Sequence, residues 1–416
     1  MHLTSNERLS EKKSPALVLS GGGIKAAAFH IGVCLALREK GFRFAGGSPS
    51  RVADLYSADS MTFKTYVGSS AGSVISTFLA AGYCMEAIID AFTRGAGIRQ
   101  VVKKRRKNAD EAYRKLTPIH YKDIFGLNLS AGTPSRFISK YFDRNQKNKP
   151  VITGGIEVLL KRGFKINGIF NMKNLEKYIR ENVLDDNRFN SLGVNLYVVA
   201  TQLNHSRKAI FGNFEETIKK KDIKYVNYAT ISEAVAASAS LPPAFSPYGI
   251  KNQIGKEIFF FDGEIRDTLS THVASDNGAD LVVASYSIQP YHYNKDIGSL
   301  HEFGLAAIAN QALYQVVQQK IDKHITHKMQ IRGLINAVNG YLKEINLPKE
   351  HREKLMDILI TRTNYKPNVD YIYIHPSPQD YKMFFYDHFN LNPEILENIV
   401  RVGFRSAMAT LRGCKF

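Results

Sequence analysis

The stretch Tyr66-Val67-Gly68-Ser69-Ser70-Ala71-Gly72-Ser73 limits the possible fold more than any other part of the chain. It reads G-x-S-x-G, with Ser70 at its centre. Ahead of it, residues 63–67 are rich in aromatic and β-branched side chains and predict a strand. Behind it, Val74, Ile75, Phe78 and Leu79 recur at helical spacing and predict a helix over 71–81. A serine between a strand and a helix must sit on a sharp turn, and Gly68 and Gly72 leave room for the close backbone contacts of that turn. In such a setting the hydroxyl stands exposed above a sheet, and the helix start offers amides to a negative atom. Small residues can also join a strand to a helix without any chemistry, so the motif needs partners elsewhere.

A second strand–glycine–helix unit precedes it. Ala16-Leu17-Val18-Leu19 is a short apolar run entering Ser20-Gly21-Gly22-Gly23. Ile24, Ala28, Ile31 and Leu35 then repeat at helical spacing, with Gly41 as a C-cap. Glycines at such a corner let successive amides point at one negative atom near the helix N-terminus. Two readings compete for this nest. Gly21-x-Gly23-x-x-Ala26 fits a dinucleotide fingerprint, which wants an acidic residue about 20 positions on, at the end of the next strand. Residues 43–48 read Arg-Phe-Ala-Gly-Gly-Ser, and the acid that follows is Asp54. An oxyanion hole facing Ser70 uses both motifs at once and is the preferred reading.

Residues 94–190 are irregular: a basic run, Gly- and Pro-containing loops, then a predicted helix over 174–183. A long insertion over a pocket is the expected form. Strands return at 194–200 and 209–211, followed by a small-residue helix over 231–240 that must stop at Leu241-Pro242-Pro243. Residues 257–261 form a strand that delivers Asp262-Gly263 at its end. Further strands are expected at 280–286 and 370–374, a long helical region at 301–342, a charged stretch at 349–354 and a closing helix at 393–411. Strands alternating with helices imply a largely parallel sheet covered on both faces.

No stretch reaches the ~18 consecutive apolar residues of a membrane span, and residues 1–14 are polar with no apolar signal core. A soluble chain made in the cytosol is expected, with signal-independent secretion left open. Cys34, Cys84 and Cys414 offer neither a disulfide framework nor metal-ligand spacing, so no metal or cofactor is expected. The net charge of +18 is concentrated in part between Arg99 and Lys122, around Lys103-Lys104-Arg105-Arg106-Lys107. Such a run meets phosphate on nucleic acid or on an anionic membrane; it is equally the composition of a solvated loop.

Taken together these pieces resemble the patatin-like phospholipases, a group of lipid acyl hydrolases. The carriers are Gly21-Gly22-Gly23-Ile24-Lys25, the elbow Gly68-Ser69-Ser70-Ala71-Gly72, the segment from Ala237 through Leu241-Pro242-Pro243 to Pro247, and Asp262-Gly263. Three departures stand out. Lys25 and Ala26 replace the usual arginine and glycine, Glu264 follows Asp262-Gly263 where glycine or alanine is usual, and Asp267-Thr268-Leu269 stands where Asn-Pro is frequent.

The resemblance implies a three-layer α/β/α sandwich with a largely parallel central sheet. Residues 16–416 would form a single domain with insertions near 94–190 and 300–365, after a polar tail over 1–15. It also implies a Ser70–Asp262 dyad without histidine and an oxyanion hole from Gly21, Gly22, Gly23 and Lys25. The substrate would be membrane phospholipid reached by peripheral association, with Lys103, Lys104, Arg105, Arg106 and Lys107 meeting an anionic surface; no specific nucleic acid is expected, and any activator protein stays unidentified. One rival is a Ser-Asp-His triad drawing on His272, His292 or His301, all of which follow Asp262 in the chain. Another is a basic membrane- or nucleic-acid-binding module with relic motifs, although no nucleic-acid motif accompanies the basic run.

Overall fold

Strand β2 (Pro15–Leu19) shows why five consecutive residues are apolar. Leu17 and Leu19 pack into one core, and Ala16 and Val18 into another on the opposite face of the sheet. Successive side chains of a strand point to opposite faces, so a strand covered on both sides reads as a continuous apolar run. The computed structural model describes residues 2–3, 8–56, 60–93, 114–128, 167–219 and 222–416. The basic run Lys103–Lys107 lies outside them.

The other strands of this sheet are β1 (His2–Leu3), β3 (Thr65–Ser69), β4 (Asn195–Gln202), β5 (Arg207–Phe211), β6 (Ile223–Val226), β7 (Tyr248–Lys251), β8 (Glu257–Asp262), β9 (Leu281–Ser285) and β10 (Asp370–Ile374). Their order is β1-β10-β9-β2-β3-β4-β8-β7, with β5 also paired to β4 and β6 to β5. The central run β10-β9-β2-β3-β4 is parallel. Strands β1, β5, β7 and β8 join it through antiparallel pairs.

Helices α1 (Gly23–Glu39), α2 (Ala71–Ala80), α3 (Met85–Thr93), α4 (Lys173–Asn182), α5 (Ile231–Ser238) and α9 (Pro393–Leu411) share one core. Helix α1 is apolar almost all round because α9, α2 and α3 all pack against it. The opposite face is covered by α6 (Thr271–Asp276) and by α7 (Leu305–Glu344), which lays Tyr314, Val317, Ile321 and Ile325 on the sheet. The result is the three-layer sandwich.

Two expectations need correction. Residues 349–354, read as merely charged, open a helix, α8 (Lys349–Thr363), which buries none of its residues and so carries no apolar stripe to reveal it. The polar N-terminal stretch is not a free tail. Strand β1 pairs with β10, Leu9 is buried, and Lys12 makes a 3.0 Å ion pair with Asp370 while both are almost fully covered.

Candidate active site

Ser70 follows β3 directly and caps α2, at φ +51° and ψ −125°. A non-glycine residue at positive φ stores strain of about 1–3 kcal/mol, which persists only where the surroundings enforce it. Here they do. The Ser70 amide donates to Ser238 Oγ at 2.7 Å, and the Ser238 hydroxyl donates to the Val199 carbonyl at 2.6 Å, tying the turn to β4. The Ser70 carbonyl accepts from the amide and hydroxyl of Ser73 at 2.9 and 2.6 Å. A side chain on Gly68 would press into the Ser73 and Gly72 backbone at 2.6–2.7 Å, and one on Gly72 would meet the Ser20 carbonyl at 2.6 Å. Both glycines of the motif are therefore forced by close backbone approach.

Strand β4 sets the distance to the second residue. Ser69, the last residue of β3, pairs with Val199, while Asp262, the last residue of β8, pairs with Ala200. The ends of two strands running in opposite senses thus arrive on either side of β4 at one level. Asp262 is buried; its carboxylate lies beside the Ser70 hydroxyl and accepts the Glu264 amide at 2.9 Å. Burial pushes its pKa up to about 6, against the opposing effect of those two donors.

Glu264 is the first residue that sequence reasoning set aside as a departure and the structure makes central. Its Oε1 accepts the Gly21 amide at 2.6 Å, and it is buried. Burial, then the neighbouring Asp262 charge, raises its pKa well above the ordinary carboxyl range. Ser69 Oγ lies beside the other oxygen without a hydrogen bond of good geometry. With the Gly21 amide engaged by Glu264, the amides left to face a ligand in this nest are those of Gly22 (φ +131°) and Gly23 (φ +71°).

Lys25 does not present its charge to this space. It is completely buried behind the glycines, donating from Nζ to Tyr314 Oη at 2.5 Å and to the Met383 carbonyl at 3.0 Å, and its backbone amide donates to the His388 carbonyl at 3.3 Å. Its expected place in the oxyanion hole is therefore replaced by a place behind it. Burial lowers its pKa to about 7 against the pull of nearby Asp387. Tyr314 Oη in turn lies 2.8 Å from His388 Nε2, and His388 Nδ1 lies 3.0 Å from the Gly22 carbonyl. No sequence motif marks Tyr314 or His388, which lie far along the chain from the glycines they serve.

A narrow apolar cavity of about 70 Å³ opens beside Ser70. Val74 and Phe78 of α2, Phe92 of α3, Ile119 and Ile124, Met172 and Leu175, and Leu241 line it, with Gly23 and His388 on its wall. The irregular region of the sequence thus contributes its described parts to the pocket. Of the histidines weighed for a triad, none lines this cavity. His272 lies 3.2 Å from the Lys208 ammonium and 3.7 Å from Asp267, and His301 bonds Ser299 at 2.8 Å. Among the described residues no group of three or more His, Cys, Asp or Glu is placed to hold a metal, and no helix is long and apolar enough to cross a membrane.

An α/β/α sandwich that holds a serine at positive φ on a strand–helix turn, next to a buried carboxylate and over an apolar slot, falls in the class of hydrolases that act on acyl groups. The family follows from direct comparison: the model of the patatin-like phospholipases matches residues 17–275, and the chain belongs to that family of lipid acyl hydrolases. Residues 276–416, with Tyr314 and His388, lie beyond the match. No curated protein is similar enough to this chain to count as a match.

Proposed function

We propose that this chain hydrolyses carboxylic esters of membrane phospholipids or lysophospholipids through Ser70 and Asp262. The observation that carries the reading is the strained Ser70 set beside the buried Asp262 carboxylate at the mouth of an apolar cavity. Asp262 takes the Ser70 proton as Oγ attacks the ester carbonyl; the tetrahedral oxyanion collapses, the alcohol leaves with that proton, and an acyl-Ser70 ester remains. Water, deprotonated by the same carboxylate, then releases the fatty acid and restores the serine. A base with pKa near 6 is ionised at neutral pH yet still a useful proton acceptor. The amides of Gly22 and Gly23, with that of Ala71 at the start of α2, are the donors proposed for the oxyanion. The acyl chain takes the slot between α2, α3 and α4.

His388, the histidine on the cavity wall, has both ring nitrogens engaged, which favours the dyad over a triad. Docking to an anionic surface through Lys103–Lys107 belongs to the same proposal. The test is labelling with a fluorophosphonate probe and release of fatty acid from phosphatidylglycerol vesicles. Both should occur in the parent and vanish in Ser70→Ala; labelling mapped to another serine would overturn the assignment.

A further inference from the structure

Three polar contacts run in line from the buried Lys25 side chain to the peptide group between Gly22 and Gly23, and their donor directions are fixed by chemistry alone. A carbonyl oxygen only accepts, so His388 Nδ1 carries the proton and donates to Gly22 O at 3.0 Å. In a neutral ring Nε2 is then an acceptor, so Tyr314 Oη donates to it at 2.8 Å. The Tyr314 oxygen is left to accept from Lys25 Nζ at 2.5 Å. The ring stays neutral because burial and the adjacent Lys25 charge depress its pKa to about 3. The titratable groups around Lys25 are Tyr314, His388 and Asp387.

Gly22 O and Gly23 N belong to one peptide unit, joined by amide resonance. A donor pulling on the carbonyl oxygen draws density from the nitrogen and makes the N–H a better donor, the cooperativity of hydrogen-bond chains. The Gly23 amide is the first of α1, unclaimed by the helix ladder, and Gly23 lines the Ser70 cavity. We propose that Lys25, Tyr314 and His388 form a polarising relay that strengthens the Gly23 amide as an oxyanion donor. The inference rests on the acyl-hydrolase reading of Ser70. His388 also holds the loop in place, because its carbonyl accepts the Lys25 amide and occupies the space a side chain at position 23 would need. It is a positioning residue; the substrate meets the amide, not the ring.

Tyr314→Phe keeps the ring and deletes the hydroxyl that links both halves of the relay. On a soluble short-chain ester we expect kcat to fall about tenfold with KM within twofold, a fraction of the 10²–10³ cost of deleting an oxyanion donor outright. Affinity for a trifluoromethyl ketone, which needs the oxyanion hole, should fall in step, while affinity for the product fatty acid should not. His388→Ala should match or exceed Tyr314→Phe, whereas His388→Asn, whose Nδ2 can replace Nδ1 as donor to Gly22, should recover most of the loss. A readout independent of turnover is the Gly23 amide in ¹⁵N-glycine spectra of the full chain, whose proton should move upfield in Tyr314→Phe. A parent that fails to label at Ser70 sinks the hydrolase reading, and the Gly23 shift still decides the relay. An unchanged Gly23 resonance, or folded Tyr314→Phe and His388→Ala with kcat within twofold of a Ser70-labelled parent, overturns the relay.

Discussion

The amide of Gly21 donates a 2.6 Å hydrogen bond to Oε1 of Glu264, and so ties the glycine corner of β2 and α1 to the turn that carries Asp262. These residues are 243 positions apart in the chain. In a family where a glycine or alanine is usual after Asp-Gly, this chain places a buried carboxyl and uses it as a strut. Burial, and after it the adjacent Asp262 charge, raise the pKa of that carboxyl well above the ordinary carboxyl range.

Glu264→Ala leaves the Gly21 amide buried without an acceptor, at a cost of about 1–3 kcal/mol. The glycine corner should lose its register with Ser70, and kcat on a soluble ester should drop about tenfold or more. Glu264→Gln keeps a carbonyl oxygen in the same place and should stay within about threefold of the parent. Equal losses in the two variants would mean that an acceptor oxygen at this place is not what matters.

The proposed base gives the pH profile its sign. Asp262 must be ionised to accept the Ser70 proton, and its pKa is about 6. Below that value kcat/KM should fall about tenfold per pH unit; above it the rate should level. Asp262→Asn should abolish nearly all turnover, while His272→Ala, His292→Ala and His301→Ala should each cost little. A histidine variant that matched Ser70→Ala while folded would restore the triad.

Stability should move the other way. Asp262 is at about 6 in the folded chain against an ordinary 3.8, so between those values the native state holds a proton that the unfolded chain has lost. Stability therefore declines as pH rises from about 4 to about 6 and stays lower above it. Replacing the carboxylate by a neutral amide in Asp262→Asn should raise Tm at pH 8, and the gain should vanish near pH 3, where both forms are neutral. Thermal denaturation at the two pH values measures it.

Ser238→Ala removes the hydroxyl shared by the Ser70 amide and the Val199 carbonyl. Two buried polar groups lose their partner, so Tm should fall. The turn at Ser70 should relax toward an unstrained backbone, with turnover reduced about tenfold. Turnover preserved despite a lower Tm would show that Gly68 and Gly72 alone maintain the elbow.

Replacing Lys103, Lys104, Arg105, Arg106 and Lys107 by glutamine should weaken binding to anionic vesicles by orders of magnitude at low salt, at ~1 kcal/mol per engaged side chain. Hydrolysis of a short soluble ester should hardly change. Vesicle sedimentation at two salt concentrations separates this outcome from that of an uninvolved loop.

The sequence by itself determined most of the scaffold and the two residues proposed to react. Residues 370–374 and 393–411 are strand and helix with the expected bounds, and Ser70 and Asp262 stand at strand ends as their flanking patterns implied. These signals are local: an apolar run, a helical period, a glycine where the turn admits nothing larger. Helix α8 escaped because an element that buries nothing leaves no period to read. Only the tertiary structure decided what surrounds the serine. It placed Glu264 on Gly21, turned Lys25 away from the cavity, and brought Tyr314 and His388 onto the Gly22 carbonyl. Each of those contacts joins residues more than 240 positions apart, apart from the Tyr314–His388 step. A buried polar group takes whichever partner the packed sheet brings within 3 Å, and no spacing along the chain encodes which one that is.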